Sequence, residues 1–236
     1  MTARAGKPPD GQSPQRKLYG RRKGRPLRPH RQYLVDRLLP RLEISGAAPP
    51  QPVAGRPLWI EIGFGAGEHL SWQAEHHPDT DFIGSEVFIN GVARLLTDIE
   101  ERSLGNIRLW TDDARLLLDT LPDGAVDRIF VLFPDPWPKA RHRKRRIIGP
   151  GTLPDIARVL RPGGILRAAT DIPDYQRWML QHVLGCGAFD WTARRPADWR
   201  NRPDDWPETR YEAKAVAAGR PCAYFSFRRN HQETPH

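Results

Sequence analysis

The stretch that decides the fold is LWIEIGFGAG, residues Leu58–Gly67. An apolar strand predicted over Leu58–Gly63 runs into glycines at alternate positions, and a helix predicted over Glu68–His77 follows until Pro78 stops it. A strand, a glycine-rich turn and a helix in this order are typical of the first unit of a parallel α/β sheet, where the turn lies close under a ligand. This predicts a ligand site at the carboxyl ends of the strands.

Strand and helix patterns alternate along the rest of the chain. A helix predicted over Gln32–Leu42 precedes the first strand, and a Pro-rich linker over residues 46–57 separates the two. Alternation of this kind predicts a doubly wound, mostly parallel, seven-stranded α/β sheet without internal repeats. The further strands are predicted at Asp81–Val87, Asn106–Trp110, Asp127–Phe133, Ile165–Thr170, Phe189–Ala193 and Cys222–Arg228. The further helices are predicted at Ile89–Glu101, Asp113–Leu121, Gly151–Leu160 and Pro173–Leu184.

Positive charge is concentrated at the N-terminus. Residues 1–31 hold ten Lys or Arg and one acid, whereas the other 205 residues hold 27 basic and 27 acidic side chains. We therefore predict a basic, flexible arm over 1–31, a helix and linker over 32–57, the sheet domain over 58–230 and a tail over 231–236. A second basic run, Lys139–Arg146, lies inside the neutral body, and two basic segments favour a nucleic acid over a solubilising tail or an import signal.

Composition excludes several other classes of protein. The longest clean apolar run, Ile129–Phe133, is far shorter than the roughly 18 residues of a membrane helix, and the N-terminus has no apolar signal-peptide core. Cys186 and Cys222 are too few for a disulfide framework or a cysteine zinc site, and the histidines show no ligand spacing. We expect a cytoplasmic protein that binds neither membrane nor metal, as a monomer or homodimer without an obligatory partner.

Acidic residues lie at the ends of three successive predicted strands. Glu61 stands two residues before the first glycine, Glu86 ends the second strand, and Asp113 follows the third. Glu61 would repel a pyrophosphate, and Glu68 stands where a dinucleotide fingerprint requires Gly or Ala, so S-adenosylmethionine fits better than a nicotinamide cofactor. Two structural alternatives stay open, because Asp113 could be only a helix N-cap and Glu86 only a solvated strand end.

The most specific stretch follows the fourth strand and reads PDPWPKARHRKRR, residues Pro134–Arg146. Its alternating prolines fix φ and remove backbone donors, which makes the loop stiff. Such a loop would hold Asp135 at the reactive end of the cofactor, and Trp137 would offer a flat face to a base. The structural alternative is a rigid turn with Trp137 packed in the core, but it leaves the cations that follow unexplained.

These stretches resemble a known family. PDPWPKARHRKRR is similar to the signature of bacterial tRNA (guanine-N7)-methyltransferases, and EIGFGAGEHL to their cofactor loop, within a resemblance that covers about residues 18–229. It implies a Rossmann-like class I methyltransferase that uses S-adenosylmethionine, needs no metal and forms 7-methylguanosine in the variable loop of tRNA. The sequence departs from the commonest family pattern around Glu86, where Ser85 precedes it and Phe88 occupies a position where His is often seen.

The resemblance also implies the roles of individual residues. Asp135 would be catalytic. The cofactor-binding residues would be Glu61, Gly63, Gly65, Gly67, Glu86, Asp113, Ala114 and Asp135, and the substrate-binding residues Lys139, Asp171, Thr209, Arg210, Tyr211 and Glu212. RNA would be bound by Arg21, Arg22, Arg25, Arg141, His142, Arg143, Lys144, Arg145 and Arg146. Spacing alone allows a structural interpretation of two sites, because Thr209 and Glu212 form a capping box and Asp171 stands where a helix begins.

Two rival functions stay open on the residues alone. DNA and protein amino-group methyltransferases also place a Pro-rich motif, D/N-P-P-[WY], after the fourth strand, although here P-D-P-W-P-K continues directly into cations. A non-catalytic RNA-binding protein on the same fold is the other alternative, and the intact acidic residues count against it.

Overall fold

The computed structural model describes residues 20–44 and 55–231, which form one seven-stranded sheet with its helices. Residues 1–19 of the predicted arm, most of the predicted linker and residues 232–236 lie outside the described residues. The strands are β1 Leu58–Ile62, β2 Asp81–Ser85, β3 Ile107–Trp110, β4 Val126–Leu132, β5 Leu160–Thr170, β6 Phe189–Trp191 and β7 Ala223–Arg229. The helices are α1 Pro29–Arg37, α2 Leu39–Leu42, α3 Glu68–His76, α4 Ile89–Arg102, α5 Ala114–Thr120, α6 Leu153–Val159, α7 Pro173–Gly185, α8 Ala197–Arg200 and α9 Arg210–Ala217, and Ala140–Arg145 forms a 3₁₀ segment. Over the described ranges, no helix is long and apolar enough to cross a membrane.

The strand order is β3-β2-β1-β4-β5-β7-β6. Strands β1 to β5 are parallel to one another, and β7 is antiparallel to both β5 and β6. The chain therefore moves outward from β1 to β3 and then returns to place β4 on the other side of β1. The reversal leaves a crevice beyond the carboxyl ends of β1 and β4, which is where such sheets bind ligands. The predicted doubly wound, mostly parallel sheet is confirmed.

Successive side chains of β1 enter two apolar cores, one on each face of the sheet. Leu58, Ile60 and Ile62 pack with residues of α5, α6 and α7, whereas Trp59 packs with residues of α1, α3 and α4. The alternation follows from the two-residue repeat of a strand. Because β1 is covered on both faces, its sequence is almost continuously apolar, as is usual for a central parallel strand.

Two elements begin several residues earlier than predicted. Helix α1 begins at Pro29, since proline is suited to the first turn, and it ends at Arg37 because Pro40 has no N–H to continue the hydrogen bonds. The helix predicted over Gln32–Leu42 is therefore two helices. Strand β5 begins at Leu160 rather than Ile165, because the Pro-Gly-Gly segment is accommodated where the register with β4 shifts.

The described end of the predicted basic arm is attached to the body. The N–H of Ile89 donates to the carbonyl of Arg22 at 3.0 Å, and the N–H of Gly24 donates to Asn90 Oδ1 at 2.7 Å. The Asn90 amide in turn donates to the carbonyl of Arg25 at 2.7 Å. Residues 20–28 thus pack across the N-terminus of α4, and the last three residues of the predicted arm belong to α1.

Candidate functional site

A pocket of about 510 Å³ opens where the strand order reverses. Its wall includes residues from the carboxyl ends of four strands: Gly63 after β1, Glu86 after β2, Asp113 after β3 and Asp135 after β4. A second cavity of about 640 Å³ lies between α1, α4 and the amino end of β3, and it contains none of the residues predicted for the site. The pocket at the strand ends is therefore the candidate site.

The glycine turn after β1 fits closely against helix α4. Gly65 adopts a left-handed φ of 59°, and its N–H donates to Glu86 Oε2 at 2.9 Å. Gly91, in the first turn of α4, lies so near that a Cβ built on it would be 2.0 Å from the Gly65 carbonyl oxygen. Gly67 lies outside the pocket wall and faces Leu95. The turn is therefore packed against the first turn of α4 and hydrogen-bonded to Glu86.

Replacing Gly91 by alanine is expected to displace the turn. Overpacking of this kind typically destabilises a protein by about 1–3 kcal/mol, and a displaced turn should also weaken binding of the S-adenosylmethionine that the sequence predicts. The measurements are urea unfolding and calorimetric titration with S-adenosylmethionine. Gly105→Ala is the matched control, since a Cβ on Gly105 meets nothing within 4 Å. Unchanged stability and affinity in Gly91→Ala would contradict the close fit.

Glu86 links β2 to the turn after β1. Its Oε2 accepts from the N–H of Gly65 and its Oε1 from the N–H of Phe88, both at 2.9 Å. Burial raises the pKa of this carboxyl above the ordinary value, the backbone hydrogen bonds oppose the rise, and the charge of Asp135 adds to it. Each oxygen has a second lone pair that can accept from a ligand hydroxyl. Glu86 is thus an ordered acceptor in the wall and not a solvated strand end.

Glu61 lies below the turn and outside the pocket wall. Its side chain is 5% exposed, and its Oε2 lies 2.7 Å from Nδ1 of His69. His69 Nε2 lies 3.1 Å from the amide nitrogen of Gln73. The structure therefore places Glu61 in a buried polar chain with α3, a partnership that sequence spacing did not reveal. Its predicted contact with the cofactor stays a prediction.

Asp113 both caps a helix and lines the pocket. Its Oδ1 accepts from the backbone N–H of Arg115 at 2.9 Å, and the Arg115 guanidinium is bound to the same carboxylate. The helix-cap interpretation is therefore correct for Asp113. Asp113 and Ala114 nevertheless stand in the pocket wall, so the cap fixes their position beside the site.

The loop after β4 has a strained backbone. Phe133 and Trp137 have left-handed φ values of 49° and 40°, which are outliers for bulky residues and run against the extended preference of residues before proline. Between them, Asp135 is exposed and lines the pocket, and its carboxylate has no hydrogen bond or ion pair with any described residue. Strain of this kind persists only where surrounding structure holds it, and it is typical of functional sites.

Trp137 stands at the pocket and not in either apolar core. It is half-buried, the guanidinium of Arg145 lies 4.9 Å from its ring centroid, and the ring of His142 meets it edge-on. The interpretation of Trp137 as a core residue of a structural turn is therefore wrong.

The basic run differs in exposure from one residue to the next. Arg141 and Lys144 are exposed, and His142, Arg143 and Arg145 are half-buried. Arg146, which the family resemblance places among these RNA-binding cations, is only 4% exposed. Its side chain is buried, and Arg146 also forms part of the pocket wall. The predicted contact between Arg146 and RNA stays a prediction.

The three arginines predicted to contact RNA from the N-terminal segment are all exposed. Arg21 lines the pocket with its guanidinium 5.9 Å from the ring centroid of Phe88, and Arg22 pairs with Asp112 at 2.9 Å. Arg25 lies on the surface beside them. The segment therefore brings positive charge to the rim of the pocket.

Helix α9 extends over the glycine turn. Thr209 caps it by accepting from the N–H of Glu212, as the capping box predicts, and the ring of Tyr211 lies over Gly65, 3.0 Å from where a Cβ on that glycine would be. The Glu212 carboxylate does not complete the box, because it accepts from the buried hydroxyl of Tyr224 at 2.5 Å. Tyr211 thus lines the pocket, whereas Glu212 supports α9 from below.

The remaining predicted substrate residues lie around the pocket but outside its wall. Arg210 binds Glu68 on α3, and Asp171 accepts from the Arg220 guanidinium at 2.6 Å. The cap of α7 is Ile172, so the interpretation of Asp171 as a helix cap is wrong. Lys139 is exposed directly before the 3₁₀ segment.

Proteins with known names resemble this chain over most of its length. The chain matches a family described as "putative methyltransferase" over residues 55–224. A tRNA (guanine-N(7)-)-methyltransferase of Rhodospirillum rubrum is 54% identical over 223 residues, covering 90% of this chain and 88% of that protein. The Agrobacterium fabrum protein of the same name is 48% identical over 217 residues, covering 89% and 94%.

Solved structures agree on the fold alone, because their sequence identity to this chain is low. The 16S rRNA methyltransferase KamB superposes with a TM-score of 0.55 at 15% identity, covering 74% of this chain and 88% of that one. A 16S rRNA (adenine(1408)-N(1))-methyltransferase from Catenulisporales acidiphilia, solved with cosubstrate SAM, gives 0.52 at 16% identity, covering 79% and 91%. With the sequence relatives, this establishes that the chain is an enzyme belonging to the tRNA (guanine-N(7)-)-methyltransferase family.

Proposed function

We propose that the protein transfers a methyl group from S-adenosylmethionine to N7 of a guanine in the variable loop of tRNA. The observation that carries this proposal is Asp135, whose carboxylate is unpartnered among the described residues and is held at the pocket by a strained loop. Family membership argues against the amino-group methyltransferases and against a non-catalytic protein.

The pocket residues fit S-adenosylmethionine chemically. A Cβ on Gly63 would meet nothing within 4 Å, so the backbone there is open to a ligand. The wall contains Glu86, Asp113 and Asp135, and carboxylates suit a ligand that has ribose hydroxyls and a sulfonium charge. A volume of about 510 Å³ lies within the usual range for small-molecule sites.

Glu86 would bind the ribose and Asp113 would be directed at the adenine, leaving Asp135 beside the methyl group. Bound S-adenosylmethionine supplies an electrophilic methyl whose transfer leaves a neutral thioether. Guanine N7 has a free lone pair, so no side chain must first remove a proton. The main task of the protein is to hold the base in line, and alignment of reacting partners can be worth about 7–11 kcal/mol.

Methylation at N7 leaves the purine positively charged. The Asp135 carboxylate would stabilise this developing charge and accept from the N–H edge of the guanine. Trp137 lies two residues further along the loop and would contact the face of the base. Because A-form RNA buries the N7 edge in its narrow major groove, the target guanine must lie in an accessible loop. The exposed cations around the pocket, and the basic arm, would contact phosphates and not read sequence.

Cofactor affinity is expected to fall as the pH is lowered towards the raised pKa of Glu86. Hydroxyl donors bind the ionised carboxylate more strongly than the neutral one. Burial raises the pKa of Glu86 above its ordinary value of 4.5, so the loss of affinity begins at a higher pH than for an ordinary glutamate. A ligand that favours the ionised form of Glu86 must release protons when it binds at a pH near the pKa of that carboxyl. Calorimetric titrations in buffers of different ionisation enthalpy measure both effects.

The control for this pH dependence is Glu86→Gln, which should bind the cofactor weakly and without proton release. Wild-type affinity that stays constant down to pH 4.5 would contradict the role of Glu86.

The test of the proposed function is incubation of the protein with methyl-labelled S-adenosylmethionine and unmodified tRNA, followed by nucleoside analysis. Label is expected in 7-methylguanosine, and a tRNA whose variable-loop guanine is replaced by adenine should accept none. Competing DNA and protein substrates should not reduce the transfer. Label in another nucleoside, or in protein, would contradict the proposal.

A further inference from the structure

Arg146 has a buried side chain, unlike the other cations of the basic run, and it forms part of the pocket wall. Its side chain is 0% exposed, whereas that of Arg143 is 39% exposed. The guanidinium lies 4.6 Å from the ring centroid of Tyr175 and 4.9 Å from that of Trp178, both on α7. A buried charge is costly unless it is paired and hydrogen-bonded, so the partners of Nε and Nη2 indicate what this guanidinium does. Its Nη1 has no hydrogen-bond partner among the described residues.

The guanidinium joins two elements of the site. Its Nε donates to the carbonyl oxygen of Pro136 at 2.9 Å, and its Nη2 donates to Asp174 Oδ2 at 2.5 Å. Pro136 lies in the middle of the loop after β4, next to Asp135, and Asp174 lies in the first turn of α7, which follows β5. One planar group therefore sets the distance between the loop and this helix.

The backbone around Arg146 is fixed on the same helix. The N–H of Ile148 donates to the Tyr175 hydroxyl oxygen at 3.4 Å, and the indole N–H of Trp178 donates to the Ile148 carbonyl at 2.8 Å. The guanidinium thus lies against two rings of α7, and the backbone two residues after Arg146 is hydrogen-bonded to the same two side chains. The planar guanidinium of an arginine loses less side-chain entropy for each hydrogen bond it forms than the ammonium of a lysine would.

The loop needs a donor from outside itself. Three of the five residues in Pro134–Pro138 are prolines without an N–H, so the loop cannot form an internal network of backbone hydrogen bonds. It nevertheless holds Phe133 and Trp137 in left-handed conformations, which require support from the surroundings. Among the described residues, the donor that reaches the Pro136 carbonyl is Arg146.

We infer that Arg146 is a positioning residue, which holds the Pro134–Pro138 loop in the strained conformation that presents Asp135 and does not contact RNA. The inference rests on the proposed function for the role of Asp135. It explains why a cation at the end of a basic run is turned inward.

The test compares Arg146→Ala with Arg146→Lys. A loop displaced by about 1 Å can lower turnover by 10²-fold, so Arg146→Ala should lose about that factor in kcat at saturating tRNA and cofactor. The dissociation constants of both ligands should stay near those of the wild type. Millimolar guanidinium should then restore kcat saturably in Arg146→Ala, whereas KCl or urea should not. Arg146→Lys keeps the charge without the fork, fills the space, and should be neither active nor rescued.

Arg177→Ala, an exposed arginine on the same helix, is the matched control and should keep the kcat of the wild type. Hydrogen exchange of the amides of Asp135, Trp137 and Lys139 should accelerate in Arg146→Ala and slow again with guanidinium. This readout does not need catalysis. It therefore tests the inference even if the wild type forms no 7-methylguanosine and the proposed function fails.

Two results would overturn the inference. One is full kcat in Arg146→Ala with weaker tRNA binding and a shallower salt dependence, which would make Arg146 a phosphate contact after all. The other is a loss of kcat in Arg146→Ala that guanidinium does not restore. In that case Arg146→Ala would be unfolded and Arg146→Lys would have wild-type activity, so that Arg146 would serve only general stability.

Discussion

Asp135→Asn is expected to lower kcat by about 10²–10³-fold, the usual consequence of removing one group that stabilises transition-state charge. Asparagine keeps the shape of the side chain and one acceptor oxygen, so the base should still bind. It lacks the negative charge that would stabilise the purine as it becomes cationic. Single-turnover kinetics with saturating tRNA would measure the chemical step directly, and cofactor affinity should change little.

The control for this substitution is Asp190→Asn, an exposed aspartate on β6. Its kcat should equal that of the wild type. Asp135→Asn should also lower the pKa of Glu86, because the charge of Asp135 is one of the causes that raise it. Near-normal turnover in Asp135→Asn, with the cofactor bound normally, would contradict the assignment of Asp135 as catalytic.

Affinity for tRNA is expected to fall by about 10³-fold between 50 and 200 mM salt. Roughly six phosphate contacts, made from the exposed and half-buried cations around the pocket, predict a log–log slope of about −5 through release of counterions. Arg146 is left out of this count because its side chain is buried and pairs with Asp174. Fluorescence anisotropy of labelled, unmodified tRNA across a KCl series measures the slope.

The internal controls for the salt series are the cofactor and a single substitution. Affinity for S-adenosylmethionine should hardly change over the same salt range, because its pocket contacts are not phosphate contacts. Lys144→Ala, which removes one exposed cation, should weaken tRNA binding and reduce the slope by about one. A slope shallower than about −2 would show that the basic surface is not the main RNA contact.

The sheet could be predicted because its signals are local. The β1 stretch is apolar on both faces, and its glycine turn and following helix are contiguous in the chain. The residues at the strand ends could also be predicted. Once the strands are recognised as parallel, their carboxyl ends must meet at one edge of the sheet. Glu86, Asp113 and Asp135 therefore stand in one pocket wall although they are far apart in sequence.

What could not be predicted depends on contacts between distant segments. Arg146 is one of six cations in a run of eight residues, and nothing in the spacing shows that its guanidinium meets Asp174, 28 residues later. Glu61 was expected in the pocket, but its burial against His69 depends on how α3 packs under the turn. The position of Tyr211 over Gly65 likewise depends on where α9 docks.

The last strand, β7, lies between β5 and β6 and is hydrogen-bonded to both. During translation, β5 and β6 leave the ribosome before β7, the strand that lies between them. One edge of β5 therefore stays unpaired until β7 has been synthesised. An unpaired strand edge is a template for association with other nascent chains. A message truncated before residue 223 should therefore yield an aggregating product, even though it would encode every carboxylate of the pocket.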